Sequence, residues 1–361
     1  MDRTMQLRRA GQSIWLDNIT RDLLTSGTLE RYIVALGVTG LTSNPSIYDK
    51  AIGGTAAYDD AIARLAGAGK DPEAIFFELA IDDLGKAADL FRPTYVRTNG
   101  VDGFVSLEVS PLLAHDADTT IRDAARLHAT AGRPNLYIKI PGTPDGLKAI
   151  EATIFAGVPV NVTLLFDADQ YVAAAEAYTR GIERRLEAGL NPLVPSVASV
   201  FISRWDGAMG ELPPKLHLQL GLAMARRTYV AYRQMLDGDR WQRLMNEGAR
   251  PQRLLWASTG TKDPNASDVY YIEALASPFT VNTMPEETLL AFAEHGTVSA
   301  TLSAKADPRD EKLLAGFAAQ GVDVIELAQR LQDQGVAAFD KAWKSLVGRI
   351  EQKARAVAAS R

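Results

Sequence analysis

The chain has 361 residues, of which 47% are hydrophobic and 23% charged, a balance typical of a folded protein with a sizeable core. Its formal net charge of −5 argues against a nucleic-acid-binding protein, because binding to phosphate backbones needs a broad basic face. The chain has no cysteine, which excludes disulfides and thiolate chemistry, and its four histidines lack the spacing of a zinc site.

The N-terminal segment MDRTMQLRRAGQSIWLD lacks the apolar centre of a signal peptide. No apolar run in the sequence reaches the roughly 18 residues that a membrane span requires. The sequence therefore predicts a cytoplasmic protein that makes no contact with a membrane.

Short apolar or β-branched runs alternate along the chain with longer segments of helical periodicity, such as residues 167–189 and 215–236. The eight runs are 13–19, 40–44, 103–109, 136–140, 160–166, 194–202, 253–259 and 279–284. This alternation predicts parallel strands joined by crossover helices, and eight strands favour a closed (β/α)8 TIM barrel. An open doubly wound sheet is the alternative, but no glycine-rich phosphate-binding motif follows any run.

Two segments are too long to be single crossovers. Residues from about 46 to 99 predict a helical insertion, and residues from about 286 to 361 predict additional C-terminal helices. We expect the whole chain, residues 1–361, to form one barrel domain that carries these extra helices.

Polar residues recur on one face of the predicted strands. Side chains in a strand alternate between two faces, so in LYIKI the side chain of Lys139 shares a face with Tyr137 and opposes Ile138. The same alternation assigns to the inward face Trp15, Asp17, Thr42, Asn44, Ser106, Glu108, Asn161, Thr163, Ser199, Phe201, Trp256 and Ser258. The polar members fall late in their runs, and we expect them to meet at the C-terminal mouth, where barrel active sites lie.

Each of these residues also has a purely structural interpretation. Asp17 would cap the following helix, Glu108 and Lys139 would form a structural ion pair, and Asn161, Thr163 and Ser199 would be hydrogen-bonding filler. Burying so many polar groups costs free energy unless each is paired. Their joint occurrence on one face therefore favours a catalytic role for these residues over a purely structural one.

A buried lysine suggests carbonyl chemistry. A neutral amine attacks a ketone to give a carbinolamine and then an iminium, which accepts electrons when a nearby C–C bond breaks. Asp17 and Glu108 can divide the proton transfers between them. Because burial disfavours the charged amine, the sequence predicts that Lys139 is partly neutral near about pH 7 and is not held in an ion pair. This chemistry needs neither a metal nor a cofactor.

Cations follow the sixth and seventh runs. Arg204 and Lys262, together with Ser258 and a glycine-containing turn, predict a phosphate site of the kind that barrels often build after their last strands. The alternative is that Arg204 and Lys262 are solvated surface cations.

The segments WLDNI, GLTSNPSIY, GFVSLEVSP, LYIKIPGT, VNVTLLF, SVASVFISRWD and WASTGTKDP together resemble transaldolases over about residues 13 to 300. The resemblance implies a (β/α)8 barrel with a Schiff-base lysine on the fourth strand, at Lys139. It also implies transfer of a dihydroxyacetone unit between sugar phosphates in the pentose phosphate pathway, without a cofactor.

The resemblance implies roles for the catalytic positions. Asp17 is similar to the acid/base that acts on the hydroxyl of the cleaved carbon. Glu108, with a water molecule held by Thr163, is similar to the group that assists dehydration of the carbinolamine.

Further positions are similar to substrate ligands of the family. Asn44 and Asn161 resemble binders of the dihydroxyacetone hydroxyls, with Ser199 nearby, whereas Arg204 and Ser258 resemble phosphate ligands. Many members carry an arginine two positions after that serine. This chain has Gly260 there, and the nearest cation is Lys262.

The resemblance leaves two alternatives open. The fructose-6-phosphate aldolase type tends to have glutamine and tyrosine where this chain has Glu108 and Phe201, so it is disfavoured. Phe201 offers no phenol to protonate an enamine, which favours the transferase. A catalytically silent barrel that binds sugar phosphates is the second alternative, and the sequence does not distinguish a monomer from a homodimer.

Overall fold

A closed barrel of eight parallel strands forms the centre of the molecule, and β8 pairs with β1 to complete the ring. The computed structural model describes residues 3–210 and 212–359, so the outermost ends of the predicted 1–361 domain lie outside the described residues. The strands are β1 (Gln12–Leu16), β2 (Gly40–Leu41), β3 (Val105–Glu108), β4 (Leu136–Pro141), β5 (Val160–Leu165), β6 (Ser196–Phe201), β7 (Arg253–Ala257) and β8 (Thr280–Met284). The predicted (β/α)8 barrel is confirmed.

Helices surround this barrel. They are α1 (Thr4–Arg9), α2 (Arg21–Thr25), α3 (Thr28–Ala35), α4 (Pro45–Gly54), α5 (Asp59–Gly67), α6 (Pro72–Arg97), α7 (Ala117–Ala131), α8 (Pro144–Phe155), α9 (Ala168–Glu187), α10 (Ser203–Gly207), α11 (Leu220–Asp237), α12 (Asp239–Asn246), α13 (Tyr270–Ala274), α14 (Glu286–His295), α15 (Pro308–Ala318) and α16 (Val324–Ala359). Several begin where a side-chain oxygen accepts from a backbone N–H of the first turn, as Thr143 does from Gly146 and Asp167 from Gln170. These caps fix where the chain leaves each strand.

Several helices lie in the two segments that are too long to be single crossovers. Residues 46–99 hold most of α4, α5 and α6, and the C-terminal region holds α14, α15 and the 36-residue α16. Helix α16 packs against α4 and α5 and reaches the C-terminal mouth of the barrel. The helix predicted over 215–236 begins only at Leu220, because Pro214–Leu216 forms a 3-10 turn.

Strand β2 has only two residues, and its first residue, Gly40, lies in a crowded position. A Cβ atom at Gly40 would lie 2.6 Å from the carbonyl oxygen of Phe104 and 2.6 Å from Cε2 of Trp15. Only glycine fits between β1 and the segment that leads into β3. The predicted strand over 40–44 ends at Leu41, and its last residues form the loop to Asn44, whose side chain caps α4.

Two apolar layers follow the alternation of the strands. Trp15, Tyr137, Leu255 and others fill the barrel interior, whereas Ile14 and Ile138 pack outward under the helices. The inward assignment of Trp256 is wrong, since Trp256 packs in the outer layer and its Nε1 donates to Ser277 Oγ at 3.1 Å.

The reason for that error lies at the end of β7. Ser258 has a φ of +54°, which interrupts the extended alternation after Ala257. Ser258 therefore lines the mouth of the barrel although Trp256, two residues earlier, faces outward.

Candidate active site

A cavity of about 280 Å³ opens among the C-terminal ends of the strands. Of the predicted site residues, its walls contain Asp17, Asn44, Lys139, Thr163, Ser199, Phe201, Arg204, Ser258 and Lys262. Glu108 and Asn161 are the two predicted site residues that do not line it. Closure of the barrel thus brings together side chains that are up to 245 positions apart in the sequence, from Asp17 to Lys262.

Lys139 and Glu108 form a buried pair at the base of this cavity. They are register partners on β4 and β3, and Lys139 Nζ lies 3.3 Å from Glu108 Oε2, with both side chains only 6% exposed. Lys139 Nζ also donates to the carbonyl oxygen of Ser43 at 3.1 Å. The expectation that the amine is not held in an ion pair is wrong, because neighbouring inward positions on adjacent strands place the carboxylate within reach.

Burial shifts the protonation of both carboxyl groups near the amine. Burial raises the pKa of Glu108 to about 7, and the nearby charge and hydrogen bond of Lys139 oppose that shift. Burial likewise raises the pKa of Asp17 above its ordinary value, against the charge of Lys139 and a hydrogen bond from Thr42. Both groups can therefore exchange protons closer to neutral pH than ordinary carboxyl groups do.

Asp17 points into the cavity and does not cap a helix. Thr42 Oγ1 donates to Asp17 Oδ1 at 2.7 Å, and Thr42 Oγ1 also lies 2.7 Å from Thr283 Oγ1. The following helix, α2, is capped by Thr20. The capping interpretation of Asp17 is wrong, and the carboxyl group is held by hydroxyls at the cavity wall.

Asn161 lies beneath the cavity floor. Its Nδ2 donates to Ser106 Oγ at 3.0 Å, and its Oδ1 accepts from Ser199 Oγ at 2.7 Å. These bonds match the interpretation of Asn161 as buried hydrogen-bonding filler. They also orient Ser199, which does line the cavity.

Two other polar side chains keep unused hydrogen-bonding capacity at the wall. Asn44 Oδ1 accepts from the backbone N–H of Ile47 at 3.0 Å, so Asn44 caps α4 and its amide nitrogen remains available. Thr163 Oγ1 is buried and has no hydrogen-bond partner among the described residues. A space of about 10 Å³ adjoins Glu108, and one water molecule needs a volume of about this size.

Cationic side chains lie on the opposite wall. Arg204 is half-buried, has no carboxylate within ion-pair distance in the described part of the chain, and burial lowers the pKa of its guanidinium. Ser258 Oγ lies 2.9 Å from Ser203 Oγ at the start of α10, while Lys262 is exposed at the rim. A Cβ at Gly260 would lie 3.1 Å from Pro285 Cγ, so this position is crowded.

Sequence reasoning missed the contribution of α16. Phe339 on this helix lines both the main cavity and the small space beside Glu108, and Lys139 Nζ lies 5.4 Å from the centroid of its ring. Gln332 Nε2 donates to the carbonyl oxygen of Leu164 at 2.9 Å, where the backbone of β5 has a φ of +59°. The sequence predicted helices from about residue 286 to 361 but contained no signal that one of them would line the cavity.

Neither a metal-binding group nor a membrane-spanning helix is found in the described ranges. No three His, Cys, Asp or Glu residues within 3–210 and 212–359 are grouped so that they could hold a metal ion. No helix of those ranges is long and apolar enough to cross a membrane.

The sequence is similar to one family over almost its whole length. The family described as Transaldolase/Fructose-6-phosphate aldolase matches residues 14–350. A transaldolase of Frankia alni is 41% identical over 96% of this chain and 96% of its own length. Transaldolases of Mycolicibacterium smegmatis and Thiobacillus denitrificans are each 42% identical, over 94% and 97% of this chain and 94% and 100% of their own lengths.

Proposed function

This chain belongs to the transaldolase/fructose-6-phosphate aldolase family, and we propose that it is a transaldolase that works through a Schiff base on Lys139. It takes a dihydroxyacetone unit from a ketose phosphate, sedoheptulose 7-phosphate or fructose 6-phosphate, and passes it to an aldose phosphate. The observation that carries the proposal is the buried amine of Lys139 beside Glu108, in a cavity that also contains Asp17.

Formation of the Schiff base begins with a proton transfer. Glu108, whose pKa is raised to about 7, is a stronger base than an ordinary glutamate and takes the proton from the ammonium group of Lys139. The neutral amine then forms a C–N bond to the ketone carbon while the C=O π bond breaks, and the proton that the attacking nitrogen gives up passes to the ketone oxygen to give the carbinolamine. The close pairing of Lys139 and Glu108 therefore supplies the proton acceptor for this step.

Dehydration follows at the same place. Protonated Glu108 gives its proton to the carbinolamine hydroxyl, which leaves as water while the nitrogen lone pair forms the iminium. The free hydroxyl of Thr163 and the small space beside Glu108 support a bound water molecule that relays this proton. Phe339 covers the step from above and keeps bulk solvent from the iminium.

Asp17 is the proposed base for cleavage of the C–C bond. Its carboxylate accepts the proton of the hydroxyl on the carbon that is cleaved, the C–C bond breaks, and its electrons move into the iminium to form an enamine. An aldose phosphate leaves, and the same steps in reverse join the enamine to the acceptor aldehyde. Asn44 and Ser199, which line the cavity, are the proposed ligands of the hydroxyls of the retained unit, and Asn161 orients Ser199 by accepting its hydrogen bond.

The phosphate of the sugar is proposed to bind at the cationic wall. Arg204 lacks a carboxylate partner in the described chain, and a guanidinium matches two phosphate oxygens. Ser258 contributes a hydroxyl and Lys262 a second positive charge. Gly260 leaves no side chain where relatives of the family carry arginine, so we assign the second cation to Lys262.

The site favours transfer over simple aldol cleavage. Phe201 is 7% exposed and lies with its ring 5.6 Å from that of Phe166, so it presents no phenol to the enamine. An enamine that is not protonated waits for an aldehyde acceptor. We accordingly propose that little dihydroxyacetone is released, that sugar phosphates are the substrates, and that the reaction belongs to the pentose phosphate pathway in the cytoplasm.

Trapping of the covalent intermediate tests this proposal. Fructose 6-phosphate followed by sodium borohydride is expected to add the reduced dihydroxyacetone unit to the peptide that contains Lys139, as read by mass spectrometry. Lys148→Met is the matched control, because Lys148 is an exposed lysine on α8 that pairs with Asp145 at 2.9 Å. Labelling that persists in Lys139→Met would reject the assigned lysine.

Product analysis separates the alternatives. With erythrose 4-phosphate present, the proposed enzyme forms sedoheptulose 7-phosphate and glyceraldehyde 3-phosphate. Free dihydroxyacetone in the absence of an acceptor would indicate the aldolase type. Binding of fructose 6-phosphate with neither product nor label would indicate a silent binding barrel.

A further inference from the structure

A second and larger cavity, of about 720 Å³, opens at the N-terminal mouth of the barrel. Its floor is formed where strands begin, by Ser13 of β1, Tyr137 of β4, Ser196 of β6 and Arg253 of β7. None of the proposed catalytic or sugar-binding residues lines it. Its volume falls within the range of about 300 to 1,000 Å³ that is usual for small-molecule sites.

The lining of this cavity is cationic, although the whole protein carries a formal net charge of −5. Five arginines surround it, namely Arg8, Arg97, Arg233, Arg250 and Arg253. Only two carboxylates, Asp102 and Asp237, accompany them. Arginines gathered on one concave surface of an acidic protein indicate an anionic ligand.

Most of these guanidinium groups form no ion pair within the described chain. Arg253 lies 4.0 Å from Asp102, and its Nη2 is held by Ser13 Oγ at 2.7 Å. Within the described chain, the other four arginines have no carboxylate at ion-pair distance. Arg233 Nε is in addition buried without a hydrogen-bond partner there. Positive charge that the protein does not neutralise is available to a ligand.

An aromatic surface stands beside the arginines. Phe279 is 61% exposed and has a φ of +61°, a conformation that a bulky residue rarely adopts. Tyr232 Oη donates to its carbonyl oxygen at 2.9 Å, and its N–H donates to the carbonyl oxygen of Gly11 at 3.0 Å. The guanidinium of Arg233 lies 5.5 Å from the centroid of its ring. The backbone thus holds an aromatic face open to the cavity.

We propose that this cavity binds a nucleoside phosphate. The base stacks on Phe279 and against Arg233, and the phosphate is held by Arg97 and Arg250, which reach the cavity from the end of α6 and from the segment before β7. A flat aromatic ring joined to a phosphate is the ligand class that uses both features of the cavity. Sugar phosphates have no aromatic ring and use only the cationic part.

Calorimetric titration of the full chain with adenosine 5′-monophosphate tests the proposal. Saturable binding of one equivalent is expected, weakening as salt is raised because the contacts are ionic. Arg97→Met combined with Arg250→Met is expected to weaken binding at least about tenfold, the effect of losing one charge-assisted contact. Phe279→Asn is expected to weaken it similarly, and asparagine tolerates the left-handed backbone so the fold is retained.

Two probes separate the parts of the ligand. Inorganic phosphate and adenosine are each expected to bind at least about tenfold more weakly than the monophosphate. Equal affinity for phosphate alone would overturn the stacking role of Phe279, and equal affinity for adenosine would overturn the role of the arginines.

The catalytic mouth supplies the matched control. Arg204→Met removes the proposed sugar-phosphate ligand at the opposite end of the barrel and is expected to leave binding of the monophosphate unchanged. Loss of binding in Arg204→Met but not in the N-terminal variants would overturn the proposal, as would no binding up to about 5 mM. Thermal unfolding of each variant confirms that it is folded. If the double variant Arg97→Met with Arg250→Met does not fold, the charge-retaining variant Arg97→Lys is used in its place.

Discussion

The two mouths of the barrel are built from the same eight strands but hold their charges differently. At the base of the C-terminal mouth the charged groups of Lys139 and Glu108 are buried and paired at 3.3 Å. At the N-terminal mouth five arginines surround a cavity of about 720 Å³ and most lack a carboxylate partner in the described chain. Buried carboxyl groups with raised pKa values exchange protons near neutral pH, whereas guanidinium groups keep their charge. The C-terminal mouth is therefore suited to proton transfer and the N-terminal mouth to binding.

Strand β4 contributes a side chain to the cavity at each mouth. Tyr137 and Lys139 share the inward face of β4, so about 6 to 7 Å of strand separates their positions. The ring of Tyr137 stacks on that of Phe104 with their centroids 4.2 Å apart and lies 6.1 Å from that of Trp15. These aromatic rings pack together in the barrel interior, and we expect that each mouth can be altered separately.

Lys139→Met is expected to have the largest effect, which is a loss of activity at the C-terminal mouth with no change of ligand binding at the N-terminal mouth. Removing the nucleophile is expected to lower kcat by about 10⁴-fold or more, since no other group forms the covalent intermediate. Adenosine 5′-monophosphate is expected to bind the variant as it binds the wild type. The measurement is a coupled assay with fructose 6-phosphate and erythrose 4-phosphate alongside the titration. A variant with turnover close to that of the wild type would remove Lys139 from the mechanism.

Glu108→Gln keeps the shape of the side chain that pairs with Lys139 but removes its ionisable carboxyl group. The expected loss in kcat is about 10² to 10⁴-fold, the usual contribution of a general acid or base. In the wild type kcat/KM is expected to decline below about pH 7, where Glu108, with its pKa raised to about 7, is already protonated and cannot accept the proton that Lys139 must lose. That decline should be absent from the pH profile of Glu108→Gln, and its persistence would assign it to another group.

The same variant tests the stability cost of the buried acid. Because the folded pKa of Glu108, about 7, lies above the unfolded value of 4.5, the folded state binds more protons between these pH values. The free energy of unfolding of the wild type therefore falls relative to Glu108→Gln as the pH rises through this window, by about 3 kcal/mol in total. Urea unfolding of both proteins from pH 5 to pH 8 measures this difference. A constant difference across that range would show that burial does not shift the group.

Part of this arrangement was accessible from the sequence. The alternation of strand and helix signals predicted the barrel, and parity placed Lys139 and Asp17 on the same inward surface. The alternation of side chains between the two faces fails at Ser258, where the backbone leaves the extended region. It therefore assigned Trp256 to the inward face, although Trp256 faces outward. The alternation also could not reveal that Phe339 lines the cavity beside Lys139, because that contact depends on how a long C-terminal helix packs.

The sequence did not predict the N-terminal cavity, for a similar reason. Its arginines come from elements as distant as α1, α6, α11 and β7, and each alone is an ordinary surface cation. Nothing in the sequence around Phe279 indicates the left-handed backbone that exposes its ring. Closure of the barrel brings these groups together, and closure is a property of the whole chain.

Arg204→Met and Lys262→Met compare how much each of these two cations contributes to binding the phosphate of the sugar. Arg204 is half-buried without a carboxylate partner in the described chain, so its loss is expected to raise KM by about 10²-fold through lost charge-assisted hydrogen bonds. Lys262 is exposed and screened by solvent, so its loss is expected to raise KM only about threefold. Steady-state kinetics with fructose 6-phosphate measure both, with kcat nearly unchanged because the contacts are remote from the reacting bonds. The opposite ranking would make Lys262 the principal phosphate ligand.

Asp102→Asn is the smallest change and affects the N-terminal end of the barrel. Asp102 is 6% exposed, and its carboxylate accepts from Trp15 Nε1 at 2.8 Å and from Ser13 Oγ at 2.5 Å. Asparagine presents an N–H where Ser13 and the guanidinium of Arg253 both offer donors, so about 1 to 3 kcal/mol of stability is expected to be lost. Turnover of fructose 6-phosphate should stay within about twofold, because the aromatic rings separate Asp102 from Lys139. Urea unfolding and the coupled assay on the same preparation decide the matter: a loss of turnover at full stability would mean that the two mouths are coupled through the barrel interior.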